Sequence, residues 1–260
     1  EGVFGVALGV STGMVFMFVL FGSLLEKAGA GNYFIRVAFA ALGHLRGGPA
    51  KAAVVSSGMT GLVSGSSIAN VVTTCTFTIP LMKKVGFKAE KAGAVEVAGS
   101  TNGQLWPPVM GAAAFLMVEY VGISYIEVIK HAFLPAIISY IALVYIVHLE
   151  AGKMGLKGLE QPVTKTLSQT VLAAAMTFVF LIIMGGITYY GLGWIKTIAG
   201  GATIYIVCVL LFVAYLLLLA FACKVPELDT STEIKELPHL GPTAQAGYYF
   251  LLPIVVLMWC

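Results

Sequence analysis

The sequence predicts an all-α polytopic membrane protein that contains a re-entrant helical hairpin and a discontinuous transmembrane helix. Three observations predict it. Of the 260 residues, 59% are apolar and only 10% are charged, and mean hydropathy is +0.95; soluble domains are about half apolar and a quarter charged. Apolar stretches of twenty or more residues recur, the length a helix needs to cross a hydrocarbon core about 30 Å thick. Two of those stretches are interrupted by polar, turn-rich runs, "SGSSIAN" at 64–70 and "STNGQLWPP" at 100–108. Short alternating strands, which a membrane barrel needs, are not found.

In chain order, residues 3–25 form a first span. Residues 26–51 carry Lys27, Arg36, Arg46 and Lys51. Their apolar part, 34–42, is too short to cross and reads as an interfacial or partly inserted helix. Residues 52–82 are apolar and end in the basic run "KKVGFKAEK". Residues 92–121 are apolar apart from the second interruption. Three plainer spans follow at 131–149, 168–190 and 194–223, the last two joined by the tight turn "GLG". A polar loop with Pro226, Pro238 and Pro242 leads to a final apolar run. The divisions expected are therefore 1–51, 52–121, 122–223, 224–245 and 246–260. The chain opens inside one apolar run and stops inside another, so a piece of a longer permease is expected.

Basic residues set the topology. The loops at 27–51, 83–91 and 153–165 hold most of the Lys and Arg and belong in the cytoplasm. The uncharged turn at 190–194 belongs outside, between the interfacial aromatics Tyr189, Tyr190 and Trp194. Both flanks of 52–82 are then on one side. Its 31 residues suit two half-depth helices of about 12 residues each at 1.5 Å rise, with "SGSSIAN" as the tip. Non-helical backbone at that depth survives only inside protein or beside a watery cavity. Glycines let the chain turn, and the serine hydroxyls and the Asn70 amide supply polar partners.

The second interruption repeats the pattern. Pro107 and Pro108 remove two donors and disfavour helix before them, and Asn102-Gly103 is a turn dipeptide. The helix from Lys91 should end near Gly99, unwind, and restart near Val109. Both breaks then sit at mid-depth. Side by side they form a cage of carbonyls, hydroxyls and an amide suited to a hard cation, and their half-helix amino ends favour an anionic group. Discontinuous helices of this kind recur in secondary transporters.

These residues carry a resemblance. "GLVSGSSIANVVTTCTFTIPLMKKVGF", "AGAVEVAGSTNGQLWPPVMGAAAFLMVEYVG" and "AFLPAIISYIALVYIVHLEAGKMGL" resemble the large membrane subunit of tripartite ATP-independent periplasmic (TRAP) transporters, in the fused-permease branch that works with TAXI-type binding proteins. The resemblance covers about 52–158; Cys75, Asn102 and Trp106 depart from it. It implies half of an elevator-type transport domain, whose second hairpin and second break should lie beyond Cys260. It implies sodium ligands at Ser64, Gly65, Ser66, Ser67, Asn70, Thr101 and Gly103. Asn70, Ser100, Thr101, Asn102, Gln104, Pro107 and Pro108 are the implied substrate contacts. The partners it implies are a TAXI-type extracytoplasmic binding protein and a small TRAP membrane subunit, separate or fused upstream. The setting is the inner membrane of a bacterium or archaeon.

The expected function is sodium-coupled uptake of a small organic anion, with Na+ as coupling ion and no covalent cofactor. An ion channel or an intramembrane hydrolase is the alternative. "VSGSS" suggests a serine nucleophile, but that chemistry needs a base within reach, and His44, His131, His148 and His239 all fall at interfaces or loops. Nothing resembles a symmetric selectivity-filter repeat. A net charge of +3 gives no case for nucleic acid. Cys75, Cys208, Cys223 and Cys260 have no pairing pattern. Gly61 and Gly65 also fit a helix-packing motif. Glu96 and Glu119 are carboxylates in apolar helices, hence functional candidates, with snorkelling or a salt bridge as the plainer reading.

Overall fold

The computed structural model describes residues 4–156, 158, 209, 212–213, 215–220 and 240–250. All regular structure among them is helical. By internal contacts the chain divides into two units, Glu1–Glu160 with Leu228–Ala244, and Gln161–Glu227 with Gln245–Cys260. The first unit holds seven helices among the residues described up to 156. They are α1 (Val6–Lys27), α2 (Ala30–Leu42), α3 (Gly48–Ser64), α4 (Ser67–Lys84), α5 (Ala89–Gly103), α6 (Ala112–Val121) and α7 (Tyr125–Lys153). In the second unit, residues 209, 212–213 and 215–220 are helical and expose Phe212 and Leu217.

Helices α1 and α7 are long and apolar enough to cross a membrane. At 1.5 Å per residue, the 29 residues of α7 reach about 43 Å. Pro135 lies inside α7 without interrupting it. Phe133, Leu134, Ile138, Ile141 and Ile146 of α7, and Phe16, Met17, Leu20 and Leu24 of α1, are exposed. Apolar surface that continuous suits lipid rather than water.

α3 is the hub. Gly48, Ala50, Ala52, Ala53, Ser56, Ser57, Gly58, Thr60 and Gly61 are all buried, because small residues on every face let neighbours approach from every side. α1 approaches at Gly22, where an added Cβ would lie 2.6 Å from the Val63 carbonyl oxygen. α2 buries Tyr33, Phe34, Ile35, Ala38 and Phe39, with Ile35, Ala38 and Phe39 packed beside Ala52 and Leu81.

α3 and α4 form an antiparallel hairpin. Met82 at the end of α4 packs with Ala50, Ala53 and Val54 near the start of α3, so the two basic flanks lie at one end. The limbs are 17 and 18 residues, longer than the half-depth limbs expected, and the tip is two residues rather than seven. The reason is local. Gly65 takes the left-handed conformation at φ 58° and closes α3. Ser66 is extended, and its hydroxyl accepts the Ala69 N–H at 3.4 Å. Helix α4 can therefore begin at once, so residues 67–70 are helical: the serines cap the helix and do not unwind it.

The second interruption is displaced in the same sense. α5 runs through Ser100, Thr101, Asn102 and Gly103, and Asn102-Gly103 is a helix end, not a turn. Nothing before Pro107 removes a backbone donor, so the helix persists until the prolines act on it. The chain is non-helical over 104–111 and restarts at Ala112, not Val109. Residues 240–245, read as loop, are helical, and residues 248–250, read as the start of a span, form one 3-10 turn. The expected span at 168–190, the aromatics Tyr189, Tyr190 and Trp194, and residues 224–239 and 251–260 lie outside the described residues; of the span at 194–223, only the helical residues 209, 212–213 and 215–220 are described.

Candidate functional site

The two breaks meet. At Gly65 an added Cβ would stand 2.2 Å from the Met110 carbonyl oxygen and 2.9 Å from Val109. Glycine is required there twice, for the left-handed φ and for the close approach. Met110 is itself left-handed at φ 51°, a conformation uncommon outside glycine and held only where the surroundings impose it. Further down the seam, an added Cβ on Gly61 would lie 2.6 Å from the Gly103 Cα. Gly61 is thus a packing glycine, and its partner is the end of the broken helix.

The interrupted backbone is largely satisfied from within. The Gly111 N–H donates to the Gln104 carbonyl at 2.9 Å, and the Trp106 N–H to the Gly103 carbonyl at 3.2 Å. The Tyr125 hydroxyl, from the start of α7, reaches the carbonyls of Pro108 and Val109, the latter at 3.0 Å. Phe115 stacks on the Tyr125 ring at 4.8 Å between centroids. Pro107 and Pro108 are buried, and Trp106 packs edge-on to Tyr140 at 5.0 Å.

Asn70 occupies the junction. It is fully buried, and its Nδ2 donates to the Ser57 carbonyl at 2.8 Å across the hairpin. A Cβ on Gly103 would fall 3.0 Å from that nitrogen. The Asn70 Oδ1 and the Ser64 Oγ are buried without a hydrogen-bond partner, while the buried Ser100 hydroxyl faces the Glu96 carboxyl. Orphaned oxygens of this kind are uncommon and call for an explanation. All three residues were expected at the site. Ser66 and Ser67 are half-buried at the tip, and Asn102 and Gln104 half-buried at the break. Thr101 is exposed, and its hydroxyl donates back to Val97 of its own helix at 2.8 Å; it does not join the others.

Glu96 is the residue sequence reasoning weighed least well. It is neither snorkelling nor in a salt bridge: it is 1% exposed. Hydroxyls of Thr74 and Thr78 on α4 bond its carboxyl group, and Ser57 Oγ on α3 lies 3.4 Å away. One side chain of α5 thereby ties both hairpin limbs to the broken helix. The signal was present in Asn70, Thr74 and Thr78, polar residues at i, i+4 and i+8 of one apolar helix, all of them buried. Glu119, by contrast, is exposed. Glu150 pairs with Lys91. Cys75 is a free thiol, partly buried.

This is a junction of a hairpin tip with a broken helix, lined by hydroxyl, amide and carbonyl oxygens and one amide nitrogen, Asn70 Nδ2. Among the described residues no three His, Cys, Asp or Glu side chains gather as a transition metal would need. Residues 3–258 match the family model described as "Tripartite ATP-independent periplasmic transporter, DctM component". The chain belongs to that family. Members are transporter components, which sets this DctM-family chain among permeases and not enzymes. Curated relatives are more distant. The large permease protein of a C4-dicarboxylate TRAP transporter from Vibrio cholerae is 37% identical over 103 residues, 40% of this chain and 22% of the relative. The ectoine/5-hydroxyectoine large permease protein of Ruegeria pomeroyi is 32% identical over 108 residues, 42% and 25% respectively. A Sinorhizobium fredii protein, y4mL, is 31% identical over 129 residues, 50% and 30%. The chain thus matches less than a third of the length of each of these three relatives.

Proposed function

We propose that this DctM-family chain carries half of the transport domain of a sodium-coupled permease for a small organic anion. The reading favours a carboxylate delivered by a TAXI-type extracytoplasmic binding protein, with a small TRAP subunit as second membrane partner, in a bacterial or archaeal inner membrane. One observation supports it above the rest: Gly65 at the hairpin tip abuts the Met110 carbonyl of the second break, and Ser64, next to that glycine, and Asn70, against Gly103, each hold a buried oxygen without a hydrogen-bond partner. Hard monovalent cations take oxygen ligands, and buried oxygens without donors are lone pairs held ready for one.

In this reading the hairpin is re-entrant, its basic flanks both cytoplasmic. Sodium enters between tip and break and draws Asn70, the tip serines and the carbonyls of the break together. The amino ends of α4 and α6 then present N–H groups to a carboxylate. The Glu96 clasp keeps hairpin and broken helix together while the domain moves as an elevator. The names of the relatives, C4-dicarboxylate and ectoine permeases, fit a small polar solute without naming this one.

The test is uptake into proteoliposomes holding the complete permease, with the binding protein encoded beside it and the ligand that protein retains on purification. Uptake should follow an inward sodium gradient and persist with protonophore. Uptake that continued undiminished without sodium would contradict the coupling.

A further inference from the structure

α3 and α7 pack where Gly58 meets the Tyr140 ring, and beside that contact they line a cavity of about 510 Å3. Val55, Met59 and Leu62 line it from α3, and Ile141, Val144 and the Tyr140 and Tyr145 rings from α7, so its walls are mostly apolar. Its two ends differ. Trp106 of the second break lies at one end, packed edge-on to Tyr140. At the other lie Lys51 and His148, with Lys51 Nζ donating to His148 Nδ1 at 2.9 Å. Arg46 stands at that same end, bonded to the Gly152 carbonyl one turn beyond His148 at 3.0 Å.

Lys51 is the anomaly. It is only 7% exposed, yet its polar partner is an imidazole, and among the described residues no carboxylate forms an ion pair with it. A buried ammonium without a counter-charge is costly. Its surroundings therefore ask for an anion, and the cavity asks for an apolar body attached to it. From Lys51 to Leu62 is eleven residues of helix, about 16 Å, close to half of a hydrocarbon core about 30 Å thick. The basic end belongs with the cytoplasmic loops, where anionic headgroups collect and basic pockets between helices hold them.

We propose that this groove is a site for one anionic phospholipid of the cytoplasmic leaflet. The phosphate sits against Lys51, Arg46 and His148, and an acyl chain runs past Val55 and Met59 towards Trp106. The site stands apart from the Asn70 junction and does not depend on which ion drives transport.

The experiment uses the complete permease in lipid nanodiscs. Trp106 fluorescence, isolated by difference from Trp106→Phe, is quenched with phosphatidylglycerol or phosphatidylcholine brominated on the acyl chain, at equal mole fraction. Brominated phosphatidylglycerol should quench at the lower concentration. Lys51→Gln should weaken its apparent affinity about ten-fold, the value of one charge-assisted contact. His148→Gln, at an exposed position, should weaken it in the same direction and keeps the test available if Lys51→Gln fails to fold. Val55→Phe, which fills the trough, should reduce quenching by both lipids. Equal quenching by the two lipids, or quenching by phosphatidylglycerol unchanged in both charge variants, would overturn the proposal. Absence of quenching, the result if other protein covers the groove, would overturn it too.

Discussion

Gly65 joins two constraints in one residue, a left-handed φ and a contact that leaves no room for a Cβ. Gly65→Ala should therefore cost about 1–2 kcal/mol from the backbone alone. It must also push the Met110 carbonyl aside. We expect a lowered melting temperature for the detergent-purified permease, and a larger loss of uptake than of folded protein. Glu96 makes a sharper case at the same scale. Glu96→Ala leaves a void and removes the link between the helices, while the Thr74 and Thr78 hydroxyls keep the Asn70 and Thr74 carbonyls; it should destabilise by about 2–5 kcal/mol, mostly through the cavity. Glu96→Gln keeps shape and hydrogen-bonding capacity and should recover most of that in the same melt. If Gln and Ala variants melted together, the clasp would not be what holds hairpin to helix.

The hairpin and the broken helix are the working elements, and each makes a separate prediction. Since α3 and α4 return on themselves, single cysteines at Leu45 and Lys84, flanking the two limbs, should both react with membrane-impermeant thiol reagent from the cytoplasmic side only. Reaction from opposite sides would mean that the hairpin crosses. For the break, Pro107→Ala with Pro108→Ala restores two donors and permits helix through 104–111. That lengthened helix would drive through the space held by the Gly65–Met110 contact. We expect folded protein with little uptake, read as amount after gel filtration against initial rate. The existence of both breaks was legible in the sequence, because glycine, serine and paired proline in apolar runs leave little else to infer. Their extents were not. Ser66 both ends the turn and caps the next helix, and α5 runs past Gly99 to end at Asn102-Gly103 because no donor is lost before Pro107.

For the whole molecule, composition pointed to a membrane, since no arrangement of so apolar a chain suits water, and apolar runs of twenty or more without alternating strands pointed to helices. Pairing was less legible. That Gly61 meets Gly103, or that Glu96 reaches Thr74 and Thr78, depends on three helices packing at one register, and sequence spacing cannot supply distances between elements. Thr101 shows the limit from the other side: its type and position suited the cage, but helical phase turns it outward, so Thr101→Ala should change sodium affinity less than Asn70→Ala does.

The central claim is that the junction around Asn70 holds the coupling ion. The most direct measurement is equilibrium binding of radioactive sodium to the purified complete permease, wild type beside Asn70→Ala. The account predicts saturable binding that weakens about ten-fold or more in the variant, beyond a melting temperature lowered, with or without sodium, by the loss of the Asn70–Ser57 bond, about 1–3 kcal/mol. Equal sodium affinity in the two folded proteins would contradict it.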